Sequence, residues 1–543
     1  FQGFVQESFL GHAPREQKRE EGHKMTDILF IHPGTGQNYQ GVTAAAPAIA
    51  PPTWILLLAD FCRRAGHGVA IHDANVQGWD EGSAEEVLKK FDPRLIVIWV
   101  AGHNPSASTQ TMPIAGKIAR DLKAVKPWVE IAMGGVHPSA LPARTLADEA
   151  IDYVIKGEGF KAIAHLVGFM KKGGGIEVQE LPFYLESAAL RQMFHGGIER
   201  MEDLRGLYYR GSSRKWNSEN QIAELGTSLK GYAWDLLEGG LDAYRAHDHH
   251  VFQDAARSKV AGFLDIRSPY ATIYTSLGCP FDCNSCVTPG FFDSTRVRYW
   301  SPEIVVGWID ELVKRYGVRN IRIEDEIFIL DAKRVEAICD LLIARGHDLN
   351  LWCYGRVDMV YPRILAKMKT AGFNWICLGI EAANQNALQG IGKPLWQDSE
   401  GVVRQIKAAG INVMGNFMFG LPGERLEDME ATLCLAQRLQ CEAVNFYSCM
   451  PLPGSALYAT AEKEGRLPPS WAAYSQLGYE CQPMGTEYLT PAEALNFRDQ
   501  AHQRYHQDAG YLRMIGEKWG SELANEIESR AERGINRVLG ASF

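Results

Sequence analysis

The chain has 543 residues, a hydrophobic fraction of 46% and a formal net charge of −9 at pH 7. This length exceeds what one core supports and indicates about three domains, at roughly 150 residues each. The negative charge is mild and dispersed, without a long basic run, so a nucleic-acid partner is not expected. The sequence contains no run of about 18 apolar residues, so no membrane span is predicted.

Residues 1–24 are polar and begin with Phe1-Gln2-Gly3, which resembles the scar left by a tag-removing protease. Met25 is therefore the expected natural start, and residues 1–24 are expected to be an expression remnant outside the fold.

A first domain is predicted over residues 25–165. Short apolar runs alternate with helical stretches there. This alternation predicts a parallel, doubly wound (Rossmann-like) α/β sheet whose ligand crevice lies at the carboxyl ends of the strands. The first strand is not followed by G-x-G-x-x-G, which argues against a dinucleotide site. The predicted strands are 28–31, 69–71, 95–100, 129–133 and 153–155.

Loops rich in glycine and proline follow several of these strands. They let a backbone approach a flat or bulky ligand closely. The loops are 32–34, 102–105, 134–138 and 157–159.

The rest of the chain is predicted to hold a connecting region, a barrel and a helical end. The connecting region, 166–262, carries a short strand at 207–210 and a helix-like stretch at 232–246. Residues 263–465 repeat a strand–helix rhythm, which predicts a full or partial (β/α)6 barrel with its chemistry at the carboxyl-end face. Residues 466–543 predict a C-terminal helical cap over the barrel mouth, although an oligomer contact fits the composition nearly as well. The predicted barrel strands are 271–275, 320–323, 349–354, 375–378, 412–418 and 443–448.

Three cysteines, Cys279, Cys283 and Cys286, form a C-x₃-C-x₂-C turn directly after the first predicted barrel strand. Three thiolates at this spacing can hold one iron–sulfur cluster and leave one iron open to a substrate or cofactor. Structural zinc is the alternative, but zinc usually takes four protein ligands, and no second Cys or Cys/His pair follows nearby. The other cysteines are scattered through apolar segments, which is typical of free thiols in a reducing compartment such as the cytoplasm.

This cysteine turn, placed after the first strand of a β/α barrel, resembles the radical S-adenosylmethionine (SAM) superfamily. The preceding doubly wound domain, with its loops 134–138 and 157–159, resembles the cobalamin-binding class of that superfamily. Further motifs support the likeness: 323–328, Arg356, 379–381, 415–424 and 450–455.

The resemblance implies a [4Fe-4S] cluster on the three cysteines, with SAM chelating the open iron. It assigns Glu324, Asp325 or Glu326 to the SAM amino group and Arg356 to its carboxylate, in a fork geometry. Glu381 is assigned to the ribose or the amino group, and Gly420 to SAM binding. For each charged residue the alternative is a solvated loop charge. The resemblance also implies cobalamin contacts from Gly102, His103, Asn104, Ser106, Gly134, Gly135, His137, Gly157, Glu158 and Gly159.

Two positions depart from the family pattern. Ser285 stands where an aromatic residue commonly precedes the third cysteine, so the adenine contact must come from elsewhere. The D-x-H-x-x-G motif, whose histidine coordinates cobalt in other cobalamin proteins, has no match, and 72–78 has the wrong order. What lies beneath the cobalt therefore depends on loops. His103 is the candidate to approach the metal, with a hydrogen-bonding or surface role as the alternative.

A histidine cluster, His247, His249 and His250, also invites a metal interpretation. No cysteine or further acidic partner stands at ligand spacing, so a surface loop or a substrate-lining segment is the preferred interpretation.

The main functional hypothesis is a cobalamin-dependent radical SAM methyltransferase that methylates an unactivated carbon, or phosphorus, of a small-molecule metabolite. By the resemblance, one SAM methylates cob(I)alamin, and a second yields the 5′-deoxyadenosyl radical that activates the substrate. An external one-electron reductant of the flavodoxin or ferredoxin type is implied. One rival is an oxidative cyclase or ring-rearranging oxidoreductase with the same cofactors. The other is a non-catalytic cobalamin-binding protein with a structural cluster. No residue is assigned a catalytic role from the sequence.

Overall fold

The computed structural model describes residues 26–34, 49–101, 107–171, 204–209, 221–246, 269–394, 398–531 and 537–539. Several residues singled out from the sequence lie outside these ranges: Gly102, His103, Asn104, Ser106, His247, His249 and His250.

The first sheet has six strands in the order β2-β1-β3-β4-β5-β6. Its first five strands pair in parallel, and β6 is antiparallel to β5. The predicted doubly wound architecture is confirmed. The short strand of the connecting region is confirmed too, and it extends this sheet. The strands are β1 Ile28–His32, β2 Val69–Asp73, β3 Leu95–Val100, β4 Glu130–Gly135, β5 Tyr153–Ile155 and β6 Leu207–Tyr209.

Helices cover both faces of this sheet, so its central strands are buried runs without polar alternation. Helix α1 is apolar almost all round, and its residues from Thr53 to Cys62 are buried. A helix with this pattern must be covered on every side, and here the second domain supplies the outer cover. The helices are α1 Thr53–Arg64, α2 Ala74–Gln77, α3 Ser83–Phe91, α4 Met112–Val125, α5 Val136–Ala140, α6 Pro142–Asp148 and α7 Phe160–Lys171.

The second sheet is an open, all-parallel arc of six strands in the order β14-β13-β12-β11-β10-β7. The predicted "full or partial" barrel is thus a half-barrel, and a two-stranded antiparallel ribbon, β8-β9, stands beside it. The strands are β7 Tyr270–Ile273, β8 Ser276–Leu277, β9 Arg298–Tyr299, β10 Asn320–Ile323, β11 Asn350–Arg356, β12 Phe373–Glu381, β13 Asn412–Phe419 and β14 Ala443–Ser448.

Some of the helices of this domain have recognisable caps, and Pro302–Tyr316 is an example. Ser301 accepts a hydrogen bond from the Ile304 amide at the start of one long helix, and Gly317, with positive φ, ends it. The helices are α8 Leu225–Ser228, α9 Thr288–Phe292, α10 Pro302–Tyr316, α11 Ala332–Arg345, α12 Pro362–Thr370, α13 Gln385–Gly390, α14 Ser399–Ala408, α15 Leu426–Leu439 and α16 Ala456–Lys463.

The C-terminal region ends in three helices, α17 Pro491–His506, α18 Ala509–Trp519 and α19 Ser521–Ala531. The Tyr505 and Tyr511 hydroxyls donate to the carbonyls of Cys441 and Glu442, just before β14. These helices therefore cover the edge strand of the half-barrel. The region also reaches the carboxyl ends of its strands, where the Gly423 amide donates to Glu487 at 2.9 Å and the Ser448 amide donates to Gln476 at 3.0 Å. The cap over the mouth stays a prediction. The predicted helical C-terminus is confirmed. Its first part, between Gly465 and Pro491, is irregular and contains one 3₁₀ turn, Ala472–Tyr474.

The prediction of a helix at 232–246 is wrong. The structure has two 3₁₀ turns there, Trp234–Leu236 and Leu241–Ala243, separated by Gly239 and Gly240 with positive φ. Tyr232 and Trp234 are buried in the core. Their packing and the two glycines override the helical pattern.

One continuous cluster of buried hydrophobic side chains includes Phe30 of the first sheet, Trp54 of α1, Phe291 of α9 and Leu378 of the half-barrel. The two sheets thus share a core. Within the described part of the chain, no helix is both long enough and apolar enough to cross a membrane.

Candidate functional site

The cysteine loop leaves the carboxyl end of the first barrel strand through β8. Gly278 has a φ of +97°, and a Cβ there would lie 2.4 Å from the Arg296 carbonyl oxygen, so only glycine fits. The Cys286 amide donates to the Cys283 carbonyl at 3.0 Å, and the Asn284 amide donates to the Ile391 carbonyl at 2.8 Å. These bonds hold the loop in a compact turn at the mouth of the half-barrel.

The three thiols are unpaired and partly buried. Burial raises the pKa of Cys279 to about 12. It also raises the pKa of Cys283, although the positive charges of Lys393 and Arg356 oppose that effect. Among the described residues, no group of three or more His, Cys, Asp or Glu side chains is arranged to hold a single metal ion. Three thiolates on one loop are the donor set that an iron–sulfur cluster with one open iron requires.

Three acidic residues follow β10, and their environments differ. Asp325 is fully buried and accepts hydrogen bonds from the Thr275 amide and hydroxyl, both at 2.5 Å, and from the Ser276 hydroxyl at 2.6 Å. Glu324 accepts from the Arg322 guanidinium, with Nε at 2.8 Å and Nη2 at 2.5 Å. These two carboxylates are already engaged by the protein.

Glu326 is the third, and its Oε2 atom is buried without a hydrogen-bond partner. Burial raises the pKa of its carboxyl group to about 8. A buried, half-satisfied carboxyl group is costly unless a cation or donor reaches it. Of the three acidic residues, Glu326 is therefore the one that a cationic ligand would stabilise most.

Arg356, at the end of β11, is almost fully buried. Its Nε donates to Asp358 Oδ1 at 2.7 Å, and its Nη2 donates to the Pro394 carbonyl at 2.9 Å. Its Nη1 lies 3.8 Å from Cys283 Sγ. Two of the three guanidinium nitrogens of Arg356 thus bond to the protein itself, and Nη1 is the nitrogen that faces the cysteine loop.

Glu381 ends β12 in a strained backbone conformation, with φ +69° at a register shift in the sheet. Its Oε1 lies 2.5 Å from Lys393 Nζ. Strain of this kind, in a residue with a side chain, concentrates at functional sites. Gly420, just after β13, also has a positive φ, +76°.

A cavity with about 890 Å³ of empty space, including its open mouth, lies between the two sheets. One wall comes from the carboxyl end of the first sheet and the segment leading into α1. The other comes from the half-barrel and from α9, which follows the cysteine loop. The first wall includes His32, Pro51, Thr53, Trp54, Val100, Ser108 and Val136, and the second Tyr274, Phe291, Phe292, Glu324 and Glu326.

The glycines predicted to touch cobalamin are also needed by the fold itself. A Cβ on Gly134 would lie 2.5 Å from the Trp99 ring, and one on Gly159 would lie 2.9 Å from it. At Gly135, with φ +118°, a Cβ would lie 2.2 Å from the Val100 carbonyl oxygen. The Gly157 amide donates to the Ser139 hydroxyl at 2.8 Å. These contacts explain the glycines without a ligand, so their cofactor role stays a prediction.

His137 and Glu158, which were also predicted to contact cobalamin, likewise have partners within the protein. His137 Nδ1 lies 3.2 Å from Thr109 Oγ1, and burial lowers the pKa of the ring to about 3. Glu158 is buried, pairs with Arg298 and accepts from the Ile222 amide at 3.0 Å. Glu158 therefore ties the first domain to the barrel.

Comparison with known proteins adds family evidence to this geometry. The B12-binding domain family matches residues 39–167, and the radical SAM superfamily matches residues 273–436. An uncharacterized methyltransferase of Pyrococcus horikoshii is 26% identical over 441 residues, covering 81% of this chain and 83% of that protein. The anaerobic magnesium-protoporphyrin IX monomethyl ester cyclase of Rubrivivax gelatinosus is 25% identical over 436 residues, covering 79% of this chain and 69% of that protein.

A solved structure shares the fold. The radical S-adenosylmethionine methyltransferase TsrM from Kitasatospora setae, with cobalamin and a [4Fe-4S] cluster bound, aligns with a TM-score of 0.63 at 17% identity. The alignment covers 94% of this chain and 99% of that chain.

A B12-binding domain packed on a half-barrel with a three-cysteine loop defines a two-domain class of radical SAM proteins. The chain belongs to the cobalamin-binding class of the radical SAM superfamily.

The sequence analysis missed several residues of this site. Lys393 lies in a loop with no motif of its own, and Trp54 and Phe291 look like ordinary core residues. His32 is different, because it belongs to the loop 32–34 that the sequence analysis placed at the crevice, although it was not named there as a site residue. Residues 35–48, which follow this loop, lie outside the described residues.

Proposed function

We propose that this protein is a cobalamin-dependent radical SAM methyltransferase acting on an unactivated carbon, or phosphorus, of a small molecule. The cavity is the observation that carries the proposal. It is bounded by the carboxyl end of the B12-binding sheet on one side and by Glu324, Glu326 and the helix after the cysteine loop on the other. Two cofactors bound at these two walls would face the same space.

Cys279, Cys283 and Cys286 would hold the cluster. Glu326 would accept the amino group of SAM, since its unpartnered oxygen and raised pKa favour a cation there. Arg356 Nη1 would receive the SAM carboxylate beside Cys283. Glu381, positioned by Lys393, would contact the ribose or amino group, and Gly420 would line the same region.

Cobalamin would lie over the carboxyl end of the first sheet, near the loops that contain Gly134, Gly135 and Gly157. The residue ranges we assign are 25–165 for the cobalamin-binding domain, 166–262 for the connecting region, 263–465 for the radical SAM domain and 466–543 for the helical end. When bound, the two cofactors would supply an adenosyl radical and a transferable methyl group.

The chain's own part is to orient both cofactors and to exclude water. Trp54, Phe291 and Phe292 give the middle of the cavity apolar walls. A dry space protects a reactive radical from side reactions. The cluster must receive electrons, so an external one-electron reductant of the flavodoxin or ferredoxin type is part of the proposal. All eleven cysteines are free thiols, which fits a reducing compartment such as the cytoplasm.

A second candidate is an oxidative cyclase with the same cofactors, because the relative from Rubrivivax gelatinosus bears that name and matches most of this chain.

One experiment separates these functions. The anaerobically reconstituted protein would be reduced in the presence of SAM, cobalamin and candidate substrates, and the products would be counted. A methyltransferase forms S-adenosylhomocysteine together with 5′-deoxyadenosine, whereas an oxidative enzyme forms only the latter. No deoxyadenosine, even slowly and without substrate, would favour a binding protein with a structural cluster and refute the proposal. The triple variant with Cys279, Cys283 and Cys286 replaced by Ala is the control and should contain no cluster iron.

A further inference from the structure

Tyr274 lies at the end of the first half-barrel strand, directly after β7 and five residues before Cys279. The hydroxyl of Tyr232 accepts a hydrogen bond from the Tyr274 amide at 2.8 Å and donates one to the Tyr274 carbonyl at 3.0 Å. Tyr232 itself is buried in the core. The connecting region therefore holds the backbone that carries Tyr274 in a fixed position.

The side chain of Tyr274 lines the cavity between the two sheets. Its ring meets Trp54 edge-on, with centroids 5.5 Å apart. Burial raises the pKa of the phenol well above its usual value, and the negative charges of Glu324 and Glu326 add to that effect. The hydroxyl group is therefore close to the acidic residues of the second wall and keeps its hydrogen at neutral pH.

Among the described residues that line the cavity, Tyr274 is the one side chain with a phenol or thiol hydrogen. The other hydroxyls there are aliphatic, and an aliphatic O–H bond is much stronger than that of a phenol. The Ser108 hydroxyl, for example, donates to the Val100 carbonyl at 2.6 Å. The Trp54 indole N–H donates to the Glu158 carbonyl at 3.1 Å. Tyr274 thus carries the exchangeable hydrogen that a radical in this space removes most easily.

We propose that Tyr274 donates a hydrogen atom to the 5′-deoxyadenosyl radical when no substrate separates the two. The inference rests on the proposed function, because it requires SAM at the second wall with its amino group on Glu326. The Tyr274 O–H bond breaks, a C–H bond forms at C5′ of 5′-deoxyadenosine, and a neutral tyrosyl radical remains. One electron from the external reductant and one proton from solvent then restore the phenol.

Such a donor limits damage in turnovers that begin without substrate. A hydrogen atom removed from an aliphatic C–H bond leaves a carbon radical within the chain. The tyrosyl radical instead returns to the phenol with one electron and one proton. Sites that generate reactive species are built to prevent side reactions. In this reaction Tyr274 is the catalytic residue, and Tyr232 is a positioning residue.

The test follows the origin of the transferred hydrogen. The full chain, reconstituted with cluster and cobalamin, is reduced in heavy water with SAM, without substrate and in a thiol-free buffer. Phenol hydrogens exchange with heavy water and C–H hydrogens do not, so deuterium in the 5′-deoxyadenosine marks an exchangeable donor. Mass spectrometry compares wild type, Tyr274→Phe and Tyr232→Phe. The matched control is Tyr270→Phe, on the same strand but outside the cavity lining.

We expect deuterium in the products of wild type and Tyr270→Phe, its loss in Tyr274→Phe and a lower fraction in Tyr232→Phe. Two further readouts do not depend on product. Calorimetric titration of the unreduced proteins should show equal SAM affinity in wild type and Tyr274→Phe. If the reductant is removed before SAM is added, the radical is not repaired, and electron paramagnetic resonance should show a tyrosyl signal in wild type that Tyr274→Phe lacks.

The outcomes are distinguishable. If wild type forms no 5′-deoxyadenosine, the proposed function fails and the inference fails with it. If wild type forms it without deuterium, or if Tyr274→Phe keeps the wild-type deuterium fraction or the tyrosyl signal, only the inference is overturned. If Tyr274→Phe does not fold or bind SAM, Tyr232→Phe decides: a lower deuterium fraction supports the inference, and the wild-type fraction refutes it.

Discussion

Glu326 shows how one unsatisfied atom can identify a ligand site. Glu324 and Asp325 stand beside it in the sequence, yet the protein itself neutralises or hydrogen-bonds both of them. Only Glu326 keeps a buried oxygen without a partner. Glu324 is bound by Arg322, only two residues away, whereas Asp325 is bound by the turn at Thr275, fifty residues away. The second contact is distant in sequence, so the sequence alone does not single out Glu326.

The raised pKa of Glu326 predicts a pH dependence of SAM binding. Below about pH 8 the carboxyl group is protonated in the SAM-free protein, and the ammonium group of SAM favours the carboxylate. Binding must then release a proton, so affinity should rise with pH up to about 8, by at most about tenfold per unit, and then level off. Glu326→Gln should bind SAM weakly and lose this slope. Calorimetric titration with the cluster in place measures both.

A suitable control for this prediction is Glu149→Gln. Burial also raises the pKa of Glu149, but this residue does not line the cavity. Its variant should keep the wild-type slope. Equal slopes in wild type and Glu326→Gln would show that another group takes up the proton.

At the scale of secondary-structure elements, the buried pair between Glu158 and Arg298 joins the loop after β5 to the β8-β9 ribbon. Both side chains are almost fully buried. Arg298 Nη1 also donates to the Ile222 carbonyl at 2.6 Å, and the Ile222 amide donates back to Glu158. The pair thus connects the first domain, the connecting region and the β8-β9 ribbon that flanks the cysteine loop.

Glu158→Gln should destabilise the protein markedly. Removing one partner of a buried pair leaves the other charge uncompensated, which costs about 3–5 kcal/mol. Glu430→Gln breaks an exposed pair with Arg504, at 2.7 Å, and should cost no more than about 1 kcal/mol. Denaturant unfolding of both variants checks the contrast. A change of similar size in the two would mean that Arg298 finds another partner.

Elements whose pattern is local were predictable from the sequence. The five parallel strands of the first sheet and the six of the half-barrel follow from apolar runs with regular spacing, and the cysteine loop follows from its own residues. In the stretch 232–246, the Gly239-Gly240 pair was a local sign of a break in the predicted helix. The positions of its turns also depend on the packing of Tyr232, whose hydroxyl accepts from the distant Tyr274 amide at 2.8 Å. The half-barrel's open edge and the helices beside β14 likewise depend on contacts distant in sequence.

For the whole molecule, Trp54 is the side chain at the centre of the domain contact. Its ring stacks on Trp99, with centroids 6.2 Å apart, and meets Phe291 edge-on at 5.5 Å. Its indole nitrogen donates to the Glu158 carbonyl at 3.1 Å. One residue therefore contacts the first sheet, the helix after the cysteine loop and the loop after β5.

Trp54→Ala should lower the free energy of unfolding by about 3–5 kcal/mol, as expected for a buried Trp. It should also enlarge the cavity and weaken cobalamin and SAM binding together, because both walls lose the same support. Trp128 is 74% exposed, and Trp128→Ala should change neither property. Thermal unfolding and binding of each cofactor measured separately check this. Loss of only one cofactor would show that the two walls are independent.

The continuous core also bears on chimeras. A relative's B12-binding domain could not be joined to this half-barrel without further changes. The contact between the two domains is part of one continuous hydrophobic core. A working hybrid would have to carry over Trp54 with its aromatic neighbours and Glu158 with its arginine as a set. Exchanging whole modules without that set should yield insoluble hybrids even where each parent folds well.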